Sequence, residues 1–223
     1  MNSLINYINN NRFGALFMLF GIMLQIFSFY YTGSSYISLI SGVTGIISVV
    51  LCAERRISFY TFGFIQLFTY VILCIQQNLY GEIAENIFYA ITMIYGIFVW
   101  IKHKGQDNKV IPKTLKFGSL TIIYFCTLLG ILGLWLFLSR HTNDSQPFMD
   151  SLTTIPAIIA QVMMILAYKE QWYFWLIIDI GSIFMWAIAG DWCMVSQFIF
   201  WTINCLYGIK KWNNYEVSKN ILI

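Results

Sequence analysis

The chain has 223 residues, of which 59% are hydrophobic and only 10% are charged, and its mean hydropathy is +0.69. A soluble domain carries about 25% charged residues, so the composition excludes an ordinary soluble protein. The formal net charge of +3 comes from basic residues placed where a membrane protein needs them. We therefore expect the lipid bilayer as a partner, and no nucleic acid.

Eight apolar segments follow one another along the chain. A helix needs about 20 mostly apolar residues to cross a bilayer, and these segments do not alternate as barrel strands do. Together they leave only short loops, so residues 1–223 are predicted to form a single all-α transmembrane domain. The predicted spans are residues 13–31, 36–53, 59–75, 83–101, 117–138, 152–168, 172–189 and 194–209.

The basic residues indicate how these spans are oriented. With eight crossings, twelve of the 13 Lys and Arg residues fall on one side, and only Arg140 falls on the other. Cytoplasmic loops of membrane proteins carry an excess of Lys and Arg. Both termini are therefore predicted to be cytoplasmic.

An internal repeat becomes visible when the chain is laid over itself with segment 87–100 on segment 199–212. Seven of 14 positions in the two segments are then identical, among them Gly96 and Gly208. We call this alignment the repeat register, and it continues through the preceding spans without a gap. The agreement predicts that part of the chain is duplicated.

The predicted repeats are residues 36–101 and 152–212, with three spans each, and a linking helix at about 117–138 joins them. Because equivalent spans are four apart, an even number, the repeats run in the same direction across the membrane. The first span lies outside the pair, so the predicted architecture is 1 + (3 + 1 + 3). Parallel repeats are a transporter design, with the substrate site between them near the middle of the membrane.

Asp179 lies near the middle of the seventh span. A charged side chain at that depth costs about 2.5–3.5 kcal/mol, so it is expected to face the interior and to have a role. The spacing places Trp172, Trp175 and Trp186 on the same helical face. A carboxylate beside Trp rings suits a small aromatic cation. Helix packing and a proton relay are alternative roles for Asp179.

Further polar and aromatic side chains within the spans are expected to line the same cavity, although an amide can equally join two helices. These residues are Gln66, Asn86, Tyr89, Gln197, Trp201 and Asn204. Glu82 and Glu85, at the start of the fourth span, are predicted to be interfacial and solvated, with a role at the mouth of the cavity as the alternative. Trp172, Trp192 and Trp212 lie at span ends, where Trp commonly anchors a helix to the interface.

Catalytic and cofactor motifs are absent from the sequence. It contains no Walker loop, no HExxH and no GxSxG, the motifs of P-loop ATPases, zinc proteases and serine hydrolases. It also has no cluster of Cys and His residues that would hold a metal. The protein is therefore predicted to be neither an enzyme nor a metal or cofactor protein.

Two motifs resemble those of the PnuC vitamin transporters. The segment WYFWLIID at residues 172–179 resembles their WxxWxxxN/D signature, and residues 79–100 resemble LYxExxxNxFY followed by YGxxxW. Both predicted repeats contribute, so the resemblance covers most of the chain. The positions that match the motifs, and that the resemblance implies bind substrate, are Trp172, Trp175, Asp179, Asn86 and Tyr89.

The resemblance implies a transporter that takes up nicotinamide riboside by facilitated diffusion, with phosphorylation in the cytosol trapping the substrate. It also implies a fold similar to the SWEET sugar transporters, a homotrimer and a location in the bacterial cytoplasmic membrane. Relatives in this family handle thiamine and riboflavin. Because the signature ends in Asp179 here, thiamine, also a flat cation, stays open as a substrate. A membrane binding subunit that transports nothing is the alternative from another class.

Overall fold

The structure, a computed structural model, describes residues 12–105 and 109–221. Every helix assigned within these ranges is long and apolar enough to cross a membrane. The prediction of an all-α membrane protein with eight spans is thus confirmed. The helices are α1 (Arg12–Thr32), α2 (Tyr36–Ala53), α3 (Phe59–Gln76), α4 (Tyr80–Lys102), α5 (Phe117–His141), α6 (Pro147–Ile165), α7 (Gln171–Ala189) and α8 (Trp192–Ile221).

Two helices begin at least three residues earlier than predicted. α4 begins at Tyr80 because the N–H groups of Gly81 and Glu82 donate to the Asp150 carboxylate, at 2.6 and 2.8 Å. This carboxylate satisfies donors that a helix start leaves free, and it places negative charge at the positive end of the helix dipole. α6 begins at Pro147, whose fixed φ suits a first helical turn. Hydropathy detects neither signal, because both depend on single residues at the helix ends.

We call α2–α4 the first half of the protein and α6–α8 the second half. Two helix-ending turns of the first half recur in the second half. In each turn, the N–H of a residue with left-handed backbone donates to the carbonyl three residues earlier, at 2.8–3.2 Å. Turns of this Schellman type commonly end helices. The left-handed residues form two pairs, and the members of each pair are equivalent in the repeat register. They are Arg55 (φ 61) with Ala167 (φ 61), and Asn78 (φ 55) with Gly190 (φ 79).

An aromatic pair also recurs in this register. Tyr60 meets Trp100 edge-on at 5.8 Å between ring centroids, and Trp172 meets Trp212 edge-on at 5.9 Å. Trp172 and Trp212 are 3% and 0% exposed. The prediction of an interface anchor is wrong for both, because each ring fills the space between helices. Trp192 is 54% exposed, as an anchor would be.

Gly208 lies against the Trp172 ring, and a Cβ atom at Gly208 would lie 2.6 Å from the indole. Gly208→Ala is therefore expected to lower thermal stability in detergent, because overpacking costs about 1–3 kcal/mol. Gly133→Ala in α5 is the control, since nothing lies within 4 Å of its added Cβ. It should keep or raise the stability, because Ala favours a helix over Gly by about 1 kcal/mol. Equal unfolding temperatures for the two variants would contradict this close packing.

The two halves are packed into each other. α2, the first helix of the first half, packs against α8, the last helix of the second half, and α6 packs against α4 in the same way. α1 packs on α2 and α8, while α5 packs on α6. Most of the large apolar side chains of α1 and α5 are exposed, as expected for surfaces that face lipid. Six helices thus share one interior, and two lie at its periphery.

Residues 109–115, between α4 and α5, form a connecting segment that contacts both halves. The Val110 N–H donates to the Arg55 carbonyl at 3.1 Å, and the Lys113 N–H donates to the Ala167 carbonyl at 2.7 Å. Arg55 and Ala167 are the equivalent left-handed residues that follow α2 and α6. The connecting segment therefore joins the same point of the two halves.

Candidate functional site

A cavity lies in the interior shared by the two halves. Its lining residues come from α2, α3, α4, α6, α7 and α8, and no described residue of α1 or α5 belongs to the lining. Its volume is about 130 Å³. Since one water needs about 10–15 Å³, the cavity can hold several waters or part of a small molecule.

Most of the predicted site residues meet at this cavity. Eight of the nine line it, namely Gln66, Asn86, Tyr89, Trp172, Trp175, Asp179, Trp201 and Asn204. The ninth, Gln197, is fully buried but lies beside the cavity, close to Gly45. Neither amide atom of Gln197 has a hydrogen-bond partner. The structure therefore brings both sequence motifs to one space and leaves Gln197 next to it.

Trp172, Trp175, Asp179 and Trp186 form a stripe along one face of α7, and Asp179 places its carboxylate on the cavity wall. Asp179 is 2% exposed, and its Oδ2 accepts a hydrogen bond from the Cys205 thiol at 3.1 Å. Trp186, on the same predicted face, lies outside the lining, and its indole donates to the Tyr70 hydroxyl at 3.0 Å. The residues of the stripe up to Asp179 thus line the cavity, whereas Trp186 packs between helices. The sequence carried no signal for the Cys205 contact, which depends on how α7 meets α8.

Aromatic rings from both halves face the cavity. Tyr89 of α4 meets Trp175 of α7 at 6.2 Å between centroids, with an angle of 69°. Trp201 of α8 occupies the position equivalent to Tyr89 in the repeat register. The Tyr89 hydroxyl and the Trp201 indole N–H both lack a hydrogen-bond partner. Rings with free polar tips can stack on a flat ligand and bind its polar substituents.

Glu82 and Glu85 also line the cavity, and they are only 2% and 5% exposed. The prediction that they are interfacial and solvated is therefore wrong, because the start of α6 covers the start of α4. Glu82 accepts hydrogen bonds from the Tyr70 hydroxyl at 2.9 Å and from the Thr153 hydroxyl at 2.6 Å. Glu85 Oε2 has no hydrogen-bond partner. Their helical spacing from Tyr89 was the available signal for their inward orientation.

Amides in the lining also tie the two halves together. The Asn204 amide donates to the Val49 carbonyl at 3.1 Å, and the Gln161 amide donates to the Thr92 hydroxyl at 3.2 Å. These two hydrogen bonds join equivalent pairs of positions in the repeat register. Asn204 Oδ1 keeps no partner. One end of this side chain therefore holds two helices together, while the other end is open to a ligand.

The cavity wall carries carboxyl groups and no basic side chain among its described residues. Three acidic residues line it, and no Lys, Arg or His belongs to its described lining. Because a buried charge needs an opposite partner or hydrogen bonds, the cavity suits a cationic or neutral ligand better than an anion.

Comparisons with known proteins agree with this interpretation of the site. A family model described as "Nicotinamide mononucleotide transporter" matches residues 35–214. The chain is 32% identical over 216 residues to the nicotinamide riboside transporter PnuC of Haemophilus influenzae, covering 93% of this chain and 92% of that protein. It is 28% identical to the protein of the same name from Neisseria mucosa, covering 90% and 81% of the two chains.

A solved structure shows that the fold is shared as well. The crystal structure of the vitamin B3 transporter PnuC superimposes with a TM-score of 0.80 at 27% identity, covering 91% of each chain. The eight spans and the relatives together indicate a multi-pass inner-membrane protein. The chain belongs to the PnuC family, which is a family of membrane transporters and not of enzymes.

Proposed function

We propose that the protein takes up nicotinamide riboside by facilitated diffusion through the cavity between its two halves. The observation that carries the proposal is a cavity lined by Trp and Tyr rings and by three carboxylates, with no basic residue in its described lining. Nicotinamide riboside is a flat cationic ring attached to a ribose. The rings can stack on the nicotinamide, the carboxylates complement its charge, and the amides bind the ribose hydroxyls.

Nicotinamide mononucleotide is a second candidate, because the matching family model carries its name. Its phosphate would add a charge of about −1.5 to −2 at pH 7. In the cavity this anion would lie near Glu82, Glu85 and Asp179, without a basic partner in the described lining. The cost of burying an unpaired charge is large, so the site favours the riboside. Thiamine is a cation like the riboside, and the charge of the cavity does not separate these two.

The proposal is tested by reconstituting the purified protein in liposomes and measuring uptake of labelled nicotinamide riboside. We expect saturable uptake that unlabelled riboside competes away more strongly than thiamine or the mononucleotide does. Stronger competition by thiamine would indicate that thiamine is the substrate. Binding without uptake would favour the membrane binding subunit, and an absence of saturable uptake would contradict a transport role.

Asp179→Ala is expected to reduce this uptake by about 10- to 100-fold, the effect of losing one hydrogen bond of about 1.5–3 kcal/mol from a ribose hydroxyl to the carboxylate. Asp179 is buried on the cavity wall, where no water replaces the lost carboxylate. Thermal unfolding in detergent checks that the variant is folded. Unchanged uptake by a folded Asp179→Ala protein would remove Asp179 from the site and leave the transport assignment intact.

For the mechanism, we propose that residues 36–101 and 152–212 act as two equivalent units that rock about the cavity, with α5 linking them as in a SWEET-like 1 + (3 + 1 + 3) arrangement. The recurring turns and aromatic pairs support this equivalence. Disulfide cross-links across the units should stop uptake if the units move relative to each other, and uptake that continues would contradict the rocking.

We also propose that both termini are cytoplasmic and that the protein assembles as a homotrimer in the bacterial cytoplasmic membrane. Lys109 and Lys211 both lie near the Glu54 carboxylate, at 3.9 and 3.3 Å. The basic segments that follow α2, that follow α4 and that end α8 therefore lie at the same end of the bundle. Residues 1–11 lie outside the described part of the chain. Labelling of single cysteines in intact cells tests the orientation, and native mass spectrometry tests the trimer.

A further inference from the structure

Glu85 on α4 and Gln197 on α8 occupy equivalent positions in the repeat register. Glu85 is 5% exposed and Gln197 is 0% exposed, and each has side-chain polar atoms without a hydrogen-bond partner. One helical turn further, Tyr89 and Trp201 form a second equivalent pair, again with unpartnered polar tips. The two halves thus present the same pattern of a polar side chain followed by an aromatic ring, but the polar side chain of this pattern is a carboxyl group only in the first half.

Glu85 differs from the other buried carboxylates near the cavity. Glu82 accepts hydrogen bonds from the Tyr70 and Thr153 hydroxyls. Asp179 accepts one from a thiol, and Asp150 accepts two from the N–H groups that begin α4. Glu85 Oε2 has no such donor, and the Tyr89 hydroxyl is the polar group beside this carboxylate.

An unpartnered carboxylate oxygen in a buried wall is costly unless a ligand or water completes it. Because Glu85 lies on the cavity wall, this oxygen can interact directly with a cationic group of a ligand in the cavity. The first half supplies Glu82 and Glu85 to the cavity wall and the second half supplies only Asp179, so the carboxyl groups are distributed unequally across the cavity. A ligand with one charged end and one uncharged end would therefore bind in one orientation.

We propose that Glu85 determines the charge preference of the site by holding the cationic ring of the substrate on the α4 side, beside Tyr89. The α8 side, with Trp201 and Asn204, then receives the uncharged ribose. This inference rests on the proposed function, and it identifies the part of the substrate that each half recognises. It assigns to Glu85 the charge recognition that the motif alone would give to Asp179.

The test compares nicotinamide riboside with its reduced 1,4-dihydro form, which has nearly the same shape but no charge. We expect the wild-type protein to bind the oxidised form at least about tenfold more tightly, the scale of one charge-assisted contact. Glu85→Gln keeps the shape of the side chain and places the same amide at the equivalent positions 85 and 197. It should weaken binding of the oxidised form by about 10- to 100-fold and leave the reduced form nearly unchanged, so that the preference disappears.

Glu82→Gln and Asp179→Asn are the comparison variants, because their carboxylates already accept hydrogen bonds. Both should keep most of the preference for the oxidised form. Glu85→Met is a second uncharged variant of similar length, and it should lose the preference as Glu85→Gln does. A preference that survives in both Glu85 variants would overturn the inference, as would a preference that disappears only in Asp179→Asn. A wild-type protein that binds neither form would instead overturn the proposed function itself.

Discussion

Trp175→Ala is expected to lower uptake of nicotinamide riboside by about 5- to 150-fold, since stacking of an aromatic side chain on a flat base contributes about 1–3 kcal/mol. Trp175 lines the cavity and meets Tyr89 of the opposite half at 6.2 Å. It therefore supplies a ring surface at the point where the two halves face each other. Removing the indole leaves a flat substrate without that surface and widens the space around it.

Two variants serve as controls for this result. Trp175→Phe keeps an aromatic face and should retain more uptake than Trp175→Ala. Trp192→Ala removes an indole that is 54% exposed and outside the cavity lining, and it should transport at close to the wild-type rate. Initial uptake rates into liposomes, normalised to the amount of reconstituted protein, give the comparison. Equal losses in Trp175→Ala and Trp192→Ala would mean that the effect comes from membrane insertion and not from substrate contact.

Asp150→Ala is expected to destabilise the protein by about 2–6 kcal/mol, because alanine would leave two buried N–H donors without an acceptor and each such donor costs about 1–3 kcal/mol. The Asp150 side chain is fully buried and accepts hydrogen bonds from the N–H groups of Gly81 and Glu82 and from the Thr154 hydroxyl, at 2.6, 2.8 and 3.1 Å. Because the contact joins α6 to the start of α4, the loss would also loosen the packing of the two halves.

Asp150→Asn is the matched variant for this prediction. The amide keeps one carbonyl oxygen as an acceptor but loses the charge that interacts with the α4 dipole. Its stability should lie between those of the wild type and Asp150→Ala. Thermal unfolding in detergent, followed by the fluorescence of the buried tryptophans, measures the series. An Asp150→Ala protein that unfolds at the wild-type temperature would show that this contact does not hold the helix start.

Much of the fold was predictable because hydropathy and charge act locally along the chain. Eight apolar segments predicted the eight helices, and the pairing of Gly96 with Gly208 predicted a repeat that the recurring turns now support. The starts of α4 and α6 were predicted too late. The start of α4 depends on Asp150, a side chain 68 residues away from Glu82 in the sequence, and no local pattern shows such a partner.

The candidate site was predictable where a polar residue lay deep inside an apolar span. Asp179 and Asn204 were identified for this reason, and both line the cavity. Glu82 and Glu85 were predicted to be solvated because they lie near the end of a span, where burial depends on which helix covers them. Gln197 was predicted to line the site together with the other polar residues of α8. Its packing beside Gly45 leaves it just outside the lining.

The connecting segment, residues 109–115, has a consequence for the speed of transport. Val110 exchanges hydrogen bonds with Arg55 at 3.1 and 2.8 Å, and Lys113 bonds Ala167 and Lys169 at 2.7 and 2.9 Å. If the halves separate at this end in the rocking that we propose, at least two of these hydrogen bonds must break. Each such bond contributes only about 0.5–1.5 kcal/mol net. Breaking two would slow the motion by about 5- to 150-fold, which still permits turnover. The segment can therefore hold the halves in one preferred conformation while still allowing them to separate during transport.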